Sequence, residues 1–360
     1  MRPCGMGPAG RVHLRGHTPD SLREVWPDLD PGVARRLLSR VIFEDRDDFA
    51  EVRGLSKAMA RHVGEHARLD RLTVADRRRS QVDPFVKYLF RSGPSTFEAV
   101  RIPLEKPRYS VCVSSQVGCA LGCVFCETGR LGFSRNLDAW EIVDQVLAVR
   151  REATDRPVTG VVFQGQGEPF QNYDNVLRAA AILRDPSGLR IRGDRITIST
   201  VGLLPQIERF TDEGHPYRLI LSLTSAFGEK RGRLMPIGGT YDVPDLAAAM
   251  IRHARRRRAH VHLAWVLMAG VNTQPEEARE LGRLFAGVPV RLSVIDYNAA
   301  PDAPGFQRAG DDERSRFLGA LAETGIGFVR RYSGGPDIDA ACGLLASRAR
   351  GGQAMETEPE

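Results

Sequence analysis

The stretch Cys119-Ala-Leu-Gly-Cys123-Val-Phe-Cys126 brings three cysteines together at CxxxCxxC spacing. Thiolates this close can bind three irons of a [4Fe–4S] cluster and leave the fourth iron open to a small chelating ligand. Zinc is the alternative, but structural zinc sites close with four ligands, typically paired CxxC or Cys/His sets. No second pair lies nearby, and no His follows at the required spacing. Soft thiolates with one ligand missing therefore favour a cluster that takes part in chemistry.

The chain around this loop repeats a strand-then-helix unit over roughly residues 108–335. The predicted strands are Tyr109–Val117, Thr159–Gln164, Arg195–Thr200, Arg218–Leu223, His260–Met268, Val290–Tyr297 and Gly327–Tyr332. The predicted helices are Trp140–Arg151, Tyr173–Arg184, Pro244–Arg257, Pro275–Phe285 and Asp312–Thr324. Such alternation indicates parallel pairing. It predicts an α/β fold, a partial or full (β/α) barrel, with the active site at the carboxyl ends of the strands.

The flanking regions differ in composition from this core, which we place at residues 108–348. Residues 1–17 are rich in Gly, Pro and Arg, so a flexible terminus is expected there, with Cys4 incidental. Residues 18–82 predict a small, basic helical domain in which Ser56 caps a helix. Residues 83–107 predict short strands leading into the core, and residues 349–360 a disordered tail.

Charge and cysteine content restrict the class of protein. A net charge of +6 permits a polyanionic partner. Arginines concentrate at Arg77-Arg78-Arg79 and between Arg252 and Arg258, where they serve either phosphate contact or a solvated helix face. The cysteines are too few and too clustered for a disulfide scaffold. No apolar stretch of about 18 residues and no signal peptide is present, so we expect a cytoplasmic protein.

Polar residues follow several predicted strands, at the edge where the active site is expected. Gly165-Gln-Gly167-Glu168-Pro169 follows the second strand; its glycines permit a close backbone approach to a ligand, and Glu168 can accept a hydrogen bond from an ammonium group. The other candidates are Ser199, Ser222, Leu223, Thr224 and Asn298. Their hydroxyls either cap helices or bind ribose and carboxylate oxygens.

Longer stretches of the sequence resemble a known family. The CxxxCxxC spacing is typical of radical S-adenosylmethionine (SAM) enzymes, in which the open iron binds the amino and carboxylate groups of SAM. The lead-in Cys112-Val-Ser-Ser-Gln-Val-Gly-Cys119 and the following Gly132-Phe-Ser-Arg-Asn-Leu137 resemble the RNA methyltransferases RlmN and Cfr. Asp337-Ile-Asp-Ala-Ala-Cys342-Gly resembles their carboxy-terminal catalytic segment. The likeness runs in the same order from about Leu55 to Cys342.

The resemblance implies a role for each matching residue. Cys119, Cys123 and Cys126 would hold a [4Fe–4S] cluster. SAM would be contacted by Gly167, Glu168, Ser199, Ser222, Leu223, Thr224 and Asn298. One SAM would methylate Cys342, and a radical formed from a second SAM would take a hydrogen from that methyl group. The resulting methylene radical would add to an adenine ring carbon, and Glu98 would act as the proton acceptor. Cys112 would then attack Cys342, releasing the product and leaving a Cys112–Cys342 disulfide.

The chemistry gives an independent reason for a methyl carrier. An adenine ring carbon such as C2 is not nucleophilic and cannot attack the SAM methyl group, whereas a thiolate can. Outside the cluster loop and the terminus, Cys112 and Cys342 are the candidate thiols for the later exchange. The alternative for each is a buried structural cysteine, and for Glu98 an exposed strand carboxylate.

Several positions depart from the family pattern. They are Gln166 for Met, Thr224-Ser225 for His-Ala, Asp296 for Pro, Gly334-Gly335-Pro336 for Arg-Gly-Asp, and Glu127 for Ser. None removes a cluster ligand or a catalytic thiol. The predicted function is therefore methylation of an adenosine ring carbon in rRNA or tRNA by a monomer that takes electrons from a low-potential donor. The alternatives are radical methylation of a peptide or small metabolite and, third, an iron–sulfur sensor.

Overall fold

The computed structural model describes residues 11–49, 51–299 and 305–346. The strands are β1 (Val12–His13), β2 (Ala67–Arg68), β3 (Thr73–Arg79), β4 (Val86–Ser92), β5 (Ser95–Pro103), β6 (Tyr109–Val113), β7 (Gln116–Gly118), β8 (Phe133–Asn136), β9 (Val158–Phe163), β10 (Ile196–Thr200), β11 (Arg218–Ser222), β12 (Val261–Leu267), β13 (Val290–Asp296) and β14 (Gly327–Arg331). The helices are α1 (Pro19–Val25), α2 (Pro31–Leu38), α3 (Lys57–His66), α4 (Glu127–Arg130), α5 (Ala139–Glu152), α6 (Tyr173–Arg184), α7 (Leu204–Glu213), α8 (Gly228–Leu234), α9 (Val243–Arg257), α10 (Pro275–Leu284) and α11 (Asp311–Glu323).

A ten-stranded sheet organises the fold, in the order β14-β13-β12-β11-β10-β9-β6-β5-β4-β3. From β6 through β9 to β14, adjacent strands of the sheet run parallel. From β3 to β6, adjacent strands run antiparallel, so β6 joins the two parts of the sheet. The hydrogen-bonded order ends at β14 and β3 without pairing them. The fold is therefore the partial form of the predicted barrel.

The central parallel strands are largely buried because helices cover their outer face, whereas the edge strand β14 is exposed. All residues of β10 are buried, as expected for a central parallel strand. Helices α7 and α8, which the sequence analysis did not identify, supply two of the connections. The predicted strand Tyr109–Val117 is interrupted after Val113, because the backbone N–H groups of Ser115 and Gln116 donate to the carbonyl of Gln166 (2.9 and 3.2 Å) instead of continuing the ladder.

The amino-terminal region is joined to the core more closely than predicted. Residues 11–17 are not a flexible terminus: Leu14 and Arg15 are fully buried, and Arg15 donates to the carbonyl of Val41 (3.2 Å) and pairs with Asp47 (2.6 Å). The rest of the predicted terminus, with Cys4, and the predicted tail lie outside the described residues.

The helical region ends earlier than residue 82, because β3 joins the large sheet by pairing with β4. The backbone N–H of Leu72 donates to Asp144 of α5 (2.7 Å), and buried residues of α2 and α5 share one hydrophobic core. The helices before β3 therefore form one folding unit with the sheet. Among the described helices, none is long and apolar enough to cross a membrane.

Candidate active site

One cavity at the carboxyl ends of the parallel strands collects most of the predicted site residues. Its lining includes Cys112, Cys119, Cys123, Cys126, Gly167, Glu168, Ser222, Thr224 and Cys342. The predicted residues that do not line it are Glu98, Ser199, Leu223 and Asn298. Residues that are far apart in sequence thus meet at the edge where barrel enzymes place their chemistry.

The cluster loop (residues 119–126) is fixed by backbone contacts. The N–H of Cys119 donates to the carbonyl of Gly132 (2.8 Å), which connects the start of the loop to the β7–β8 hairpin. A Cβ on Gly118 would lie 1.9 Å from that same carbonyl oxygen, and Gly118 has a φ of +73°. Only glycine is compatible with both conditions, so the local sequence sets where the first thiol begins.

The donor set of this loop fits a cluster better than a single ion. In the described part of the chain, no three His, Cys, Asp or Glu side chains converge as the ligands of one metal ion would. In a [4Fe–4S] cube each thiolate binds its own iron, so convergence on one point is not required. Burial raises the pKa of Cys119 to about 11 and also raises the pKa of Cys123 and of Cys126. Bound iron would reverse these shifts by favouring the thiolates.

Glu168 is held at the cavity wall by the backbone of neighbouring segments. Its Oε1 accepts from the N–H of Phe170 (3.0 Å), and its Oε2 accepts from the N–H of Val201 (3.0 Å), beyond the end of β10. The side chain is buried, and burial raises its pKa to about 7. A carboxyl group in this state would gain from a cationic ligand, since an ammonium group favours the ionised form.

The glycines beside Glu168 serve packing within the protein. A Cβ on Gly167 would lie 2.5 Å from the side chain of Gln116, and one on Gly165 would lie 2.7 Å from the carbonyl oxygen of Val113. Both glycines also line the cavity, so the close backbone approach to a ligand stays a prediction. Gln116, which the sequence analysis missed, accepts from the N–H of Glu168 (2.9 Å) and so positions the turn.

The predicted hydroxyl residues differ in whether they reach the cavity. Ser199 Oγ and Ser222 Oγ lie 3.1 Å apart, and neither side chain caps a helix, so the capping alternative is wrong for this pair. Ser222 lines the cavity with Thr224, whereas the side chain of Leu223 is fully buried in the core. Thr224 has a φ of +62°, and its carbonyl accepts from the side-chain amide of Asn272 (2.7 Å). Such a conformation is costly for a β-branched residue.

Cys112 and Cys342 line the same cavity as free thiols. Cys112 lies on β6 between Val100 of β5 and Val162 of β9, and its pKa is raised to about 12 by burial and by the nearby Cys342. Ile338 packs against the same apolar residues and brings the chain before Cys342 onto this face. The two thiols proposed for exchange are therefore neighbours.

The carboxy-terminal segment (residues 332–346) is anchored on one side by the loop between β3 and β4. Asp83 accepts hydrogen bonds from the Tyr332 hydroxyl (2.8 Å) and from the backbone N–H of Gly335 (2.7 Å). Asp337 accepts from the hydroxyl of Ser80 (2.7 Å). These contacts connect the two ends of the sheet by side chains rather than by strand pairing.

The other side of this segment rests on α4, which directly follows the cluster loop. The N–H of Glu127 donates to the carbonyl of Gly343 (2.8 Å), and the Thr128 hydroxyl donates to the carbonyl of Leu345 (2.6 Å). Asn298, although outside the lining, donates its side-chain amide to the carbonyl of Cys342 (3.5 Å). Cys342 is thus held between the cluster loop and the sheet.

Glu98 lies beside the cavity on β5. It is 2% exposed, which rules out the exposed strand carboxylate considered above, and its Oε1 lies 3.1 Å from Nζ of Lys87. Lys87 also donates to the carbonyl of Asp339 (3.3 Å), three residues before Cys342. The buried lysine, which sequence reasoning missed, therefore connects the candidate base to the segment that carries the candidate methyl acceptor.

Half of the arginines noted in the sequence have acidic partners in the described structure. Arg77 pairs with Glu152, and Arg252 and Arg256 both pair with Asp212. A solvated, salt-bridged surface accounts for these arginines. A role in phosphate contact stays a prediction.

Comparisons with known proteins agree with this arrangement. The radical SAM superfamily pattern matches residues 113–283. A probable RNA methyltransferase of Myxococcus xanthus is 45% identical over 92% of both chains. A dual-specificity RNA methyltransferase RlmN of Syntrophotalea carbinolica is 38% identical over 94% of this chain and 90% of that protein. The crystal structure of a radical SAM methyltransferase from Sphaerobacter thermophilus superposes with a TM-score of 0.85 at 35% identity, covering 93% of this chain and 99% of the other.

The parallel partial barrel and its cysteine loop define a radical SAM enzyme. Within that class the chain belongs to the RNA methyltransferase family that includes RlmN. Membership implies a [4Fe–4S] cluster and SAM as cofactors, and the thiols of the cluster loop and the buried carboxyl of Glu168 fit both groups.

Proposed function

We propose that this protein methylates a ring carbon of an adenosine in RNA, with Cys342 as the methyl carrier. The observation that carries the proposal is the position of Cys342 and Cys112, two free thiols in the cavity that also contains the cluster loop and Glu168. When bound, the cluster and SAM supply a methyl group and one-electron chemistry that the side chains cannot provide. The family relationship supports RNA as the substrate.

In this proposal most of the cofactor contacts line the cavity. Cys119, Cys123 and Cys126 are the cluster ligands. Glu168, with its pKa raised to about 7 by burial, accepts from the ammonium group of SAM and is ionised by that contact. Gly167, Ser199, the Ser222–Thr224 stretch and Asn298 complete the SAM site, Leu223 through its backbone because its side chain is buried.

Cys342 and Cys112 take part in different bond changes of the proposed reaction. The Cys342 thiolate forms an S–CH₃ bond while the sulfonium carbon–sulfur bond of SAM breaks. Carbon–carbon bond formation to the base would remove one hydrogen atom from the S-methyl group, taken up through cleavage of a second SAM, and one electron, returned to the cluster. The Cys112 thiolate then attacks Cys342 Sγ. An S–S bond then forms, the Cys342 S–C bond breaks, and its electron pair goes to the product carbon, which takes a proton. Glu98 accepts the proton lost from the ring carbon. An external thiol must reduce the disulfide before the next turnover.

The first experiment measures the mass of anaerobically reconstituted protein after incubation with SAM, both intact and as peptides. We expect one additional methyl group on the peptide that contains Cys342, and none in Cys342→Ala. Cys4→Ala is the matched thiol control and should be methylated like the wild type. An unmodified Cys342 in a preparation that cleaves SAM would contradict the carrier role.

The substrate is tested separately with SAM that carries an isotopic label in its methyl group. We expect the label in adenosine after incubation with rRNA or tRNA. Label in a peptide or small metabolite, with none in RNA, would favour the alternative substrate class and leave the role of Cys342 intact.

A further inference from the structure

Arg231, on α8, is a buried arginine without an acidic partner in the described structure. Its side chain is fully buried, and its Nε and Nη1 have no hydrogen-bond partner among the described residues. Its other terminal nitrogen, Nη2, donates to the carbonyl of Val201. An unpaired buried charge is strongly destabilising, so a compensating negative group is expected close to it.

The guanidinium keeps its charge at neutral pH. An arginine guanidinium is not deprotonated in proteins, so Arg231 holds its charge although burial opposes it. Deprotonation therefore does not remove the cost of burial. A negative group close to the Arg231 side chain would offset the cost of burying its charge.

Helix α8 lies directly behind the cluster loop. The N–H of Val124 donates to the carbonyl of Leu234 (3.1 Å), and Leu234 and Met235 pack in one apolar cluster with Leu121 and Cys123. Val201, which accepts from Arg231, borders the same cluster. Arg231 is not part of the cavity lining. Its charge nonetheless interacts with Cys123 of the cluster loop.

We propose that Arg231 is the buried counter-cation of the iron–sulfur cluster and raises the cluster's reduction potential. Thiolate ligands give the cluster negative charge, and adding an electron increases that charge. A fixed cation nearby stabilises the reduced form more than the oxidised form. Arg231 is thus a positioning residue that acts through the cluster. The inference requires the cluster of the proposed function, but neither RNA as substrate nor methylation of Cys342.

The test compares Arg231→Gln, which removes the charge, with Arg231→Lys, which keeps it. Arg233→Gln is the matched control, because Arg233 lies on the same helix with a side chain 70% exposed. The midpoint potential of the reconstituted cluster is measured by redox titration followed by electron paramagnetic resonance, without RNA. We expect Arg231→Gln to disfavour reduction at least tenfold, which is 59 mV for a one-electron couple. Arg231→Lys should stay closer to the wild type, and Arg233→Gln should not change.

A second measurement, the stability against urea, also tests the proposal if a variant fails to retain the cluster. Without iron, Arg231→Met should resist urea better than the wild type, because an uncompensated buried charge has been replaced by an apolar side chain. With the cluster bound, the order should reverse. An unchanged potential in a fully loaded Arg231→Gln protein, or lower stability of Arg231→Met without iron, would overturn the proposal. Neither readout depends on RNA methylation, so failure here is distinguishable from failure of the proposed function.

Discussion

The cluster loop and the carboxy-terminal segment bring cysteines to the same cavity but are held in different ways. In the loop, backbone groups bind backbone groups, and the N–H of Cys119 meets the carbonyl of Gly132 at 2.8 Å with no room for a side chain on Gly118. In the segment, the main anchors are side chains such as Asp83 and Thr128 that reach across from other elements. The three cluster cysteines are thus built into a loop that local backbone contacts fix. Cys342 is docked, meaning that side chains of other elements hold its segment in place.

This difference matches what the proposed function requires of each set. Three cluster ligands must keep fixed mutual positions, which steric constraint at glycine provides. A methyl carrier must meet a methyl donor and later a nucleic-acid base. Docking through a few hydrogen bonds, each worth about 1 kcal/mol net, allows the segment to move without unfolding the barrel.

The largest expected effect comes from removing the Cys112 thiol while keeping that of Cys342. Cys112→Ala keeps Cys342 but removes the thiol that would release the product. We therefore expect single-turnover methylation of Cys342 followed by a covalent protein–RNA adduct, visible as a band shift that ribonuclease removes. Turnover should fall to background. Free methylated RNA from this variant at the wild-type rate would show that Cys112 is not the releasing group.

The next prediction tests the steric constraint that holds the start of the cluster loop. Gly118→Ala would place a Cβ 1.9 Å from the carbonyl oxygen of Gly132, at a residue with a φ of +73°. We expect a loss of several kcal/mol in the free energy of unfolding, measured with urea, and loss of bound iron. Gly214→Ala is the control, because Gly214 has a φ of +70° and open space around its Cβ position. It should cost only about 1 kcal/mol, and equal losses in the two variants would refute the steric explanation.

The same contrast explains how far the sequence could predict this site. The cysteine loop and the strand-then-helix repeat are local patterns, and helix Tyr173–Arg184 has its predicted bounds. Whether the barrel closes is not local, because it depends on pairing between β14 and β3. Arg231 and Lys87 also escaped prediction. A charged residue on a helix or strand gives no sign that tertiary packing will bury it beside a cysteine loop or a glutamate.

A third prediction concerns Glu168 and pH. In the folded protein without cofactors the pKa of Glu168 is about 7, whereas an unfolded glutamate titrates near 4.5. The folded state therefore holds more protons between these values, and its stability falls as the pH rises through that window. The full difference, about 3 kcal/mol, is reached above pH 7.

Urea unfolding of the cofactor-free protein at pH 5 and pH 7.5 measures this effect. Glu168→Gln keeps one of the two acceptor oxygens and cannot ionise, so its stability should change less between the two pH values. Parallel pH profiles of the wild type and the variant would show that burial does not perturb this carboxyl. SAM should reduce the wild-type difference, because its ammonium group favours the ionised carboxylate.

The smallest effect concerns the docked segment. Asp83→Asn weakens the acceptor for the Tyr332 hydroxyl and the Gly335 N–H, and so should shift the carboxy-terminal segment toward an undocked state by about 1 kcal/mol. Alkylation of Cys342 should then be about fivefold faster, since 1 kcal/mol corresponds to that factor. Asp194→Asn, which alters an exposed ion pair with Arg192, is the control and should leave the rate unchanged. Equal rates in Asp83→Asn and the wild type would mean that Cys342 is as firmly held as the cluster loop, and the distinction between a built-in and a docked cysteine would fail.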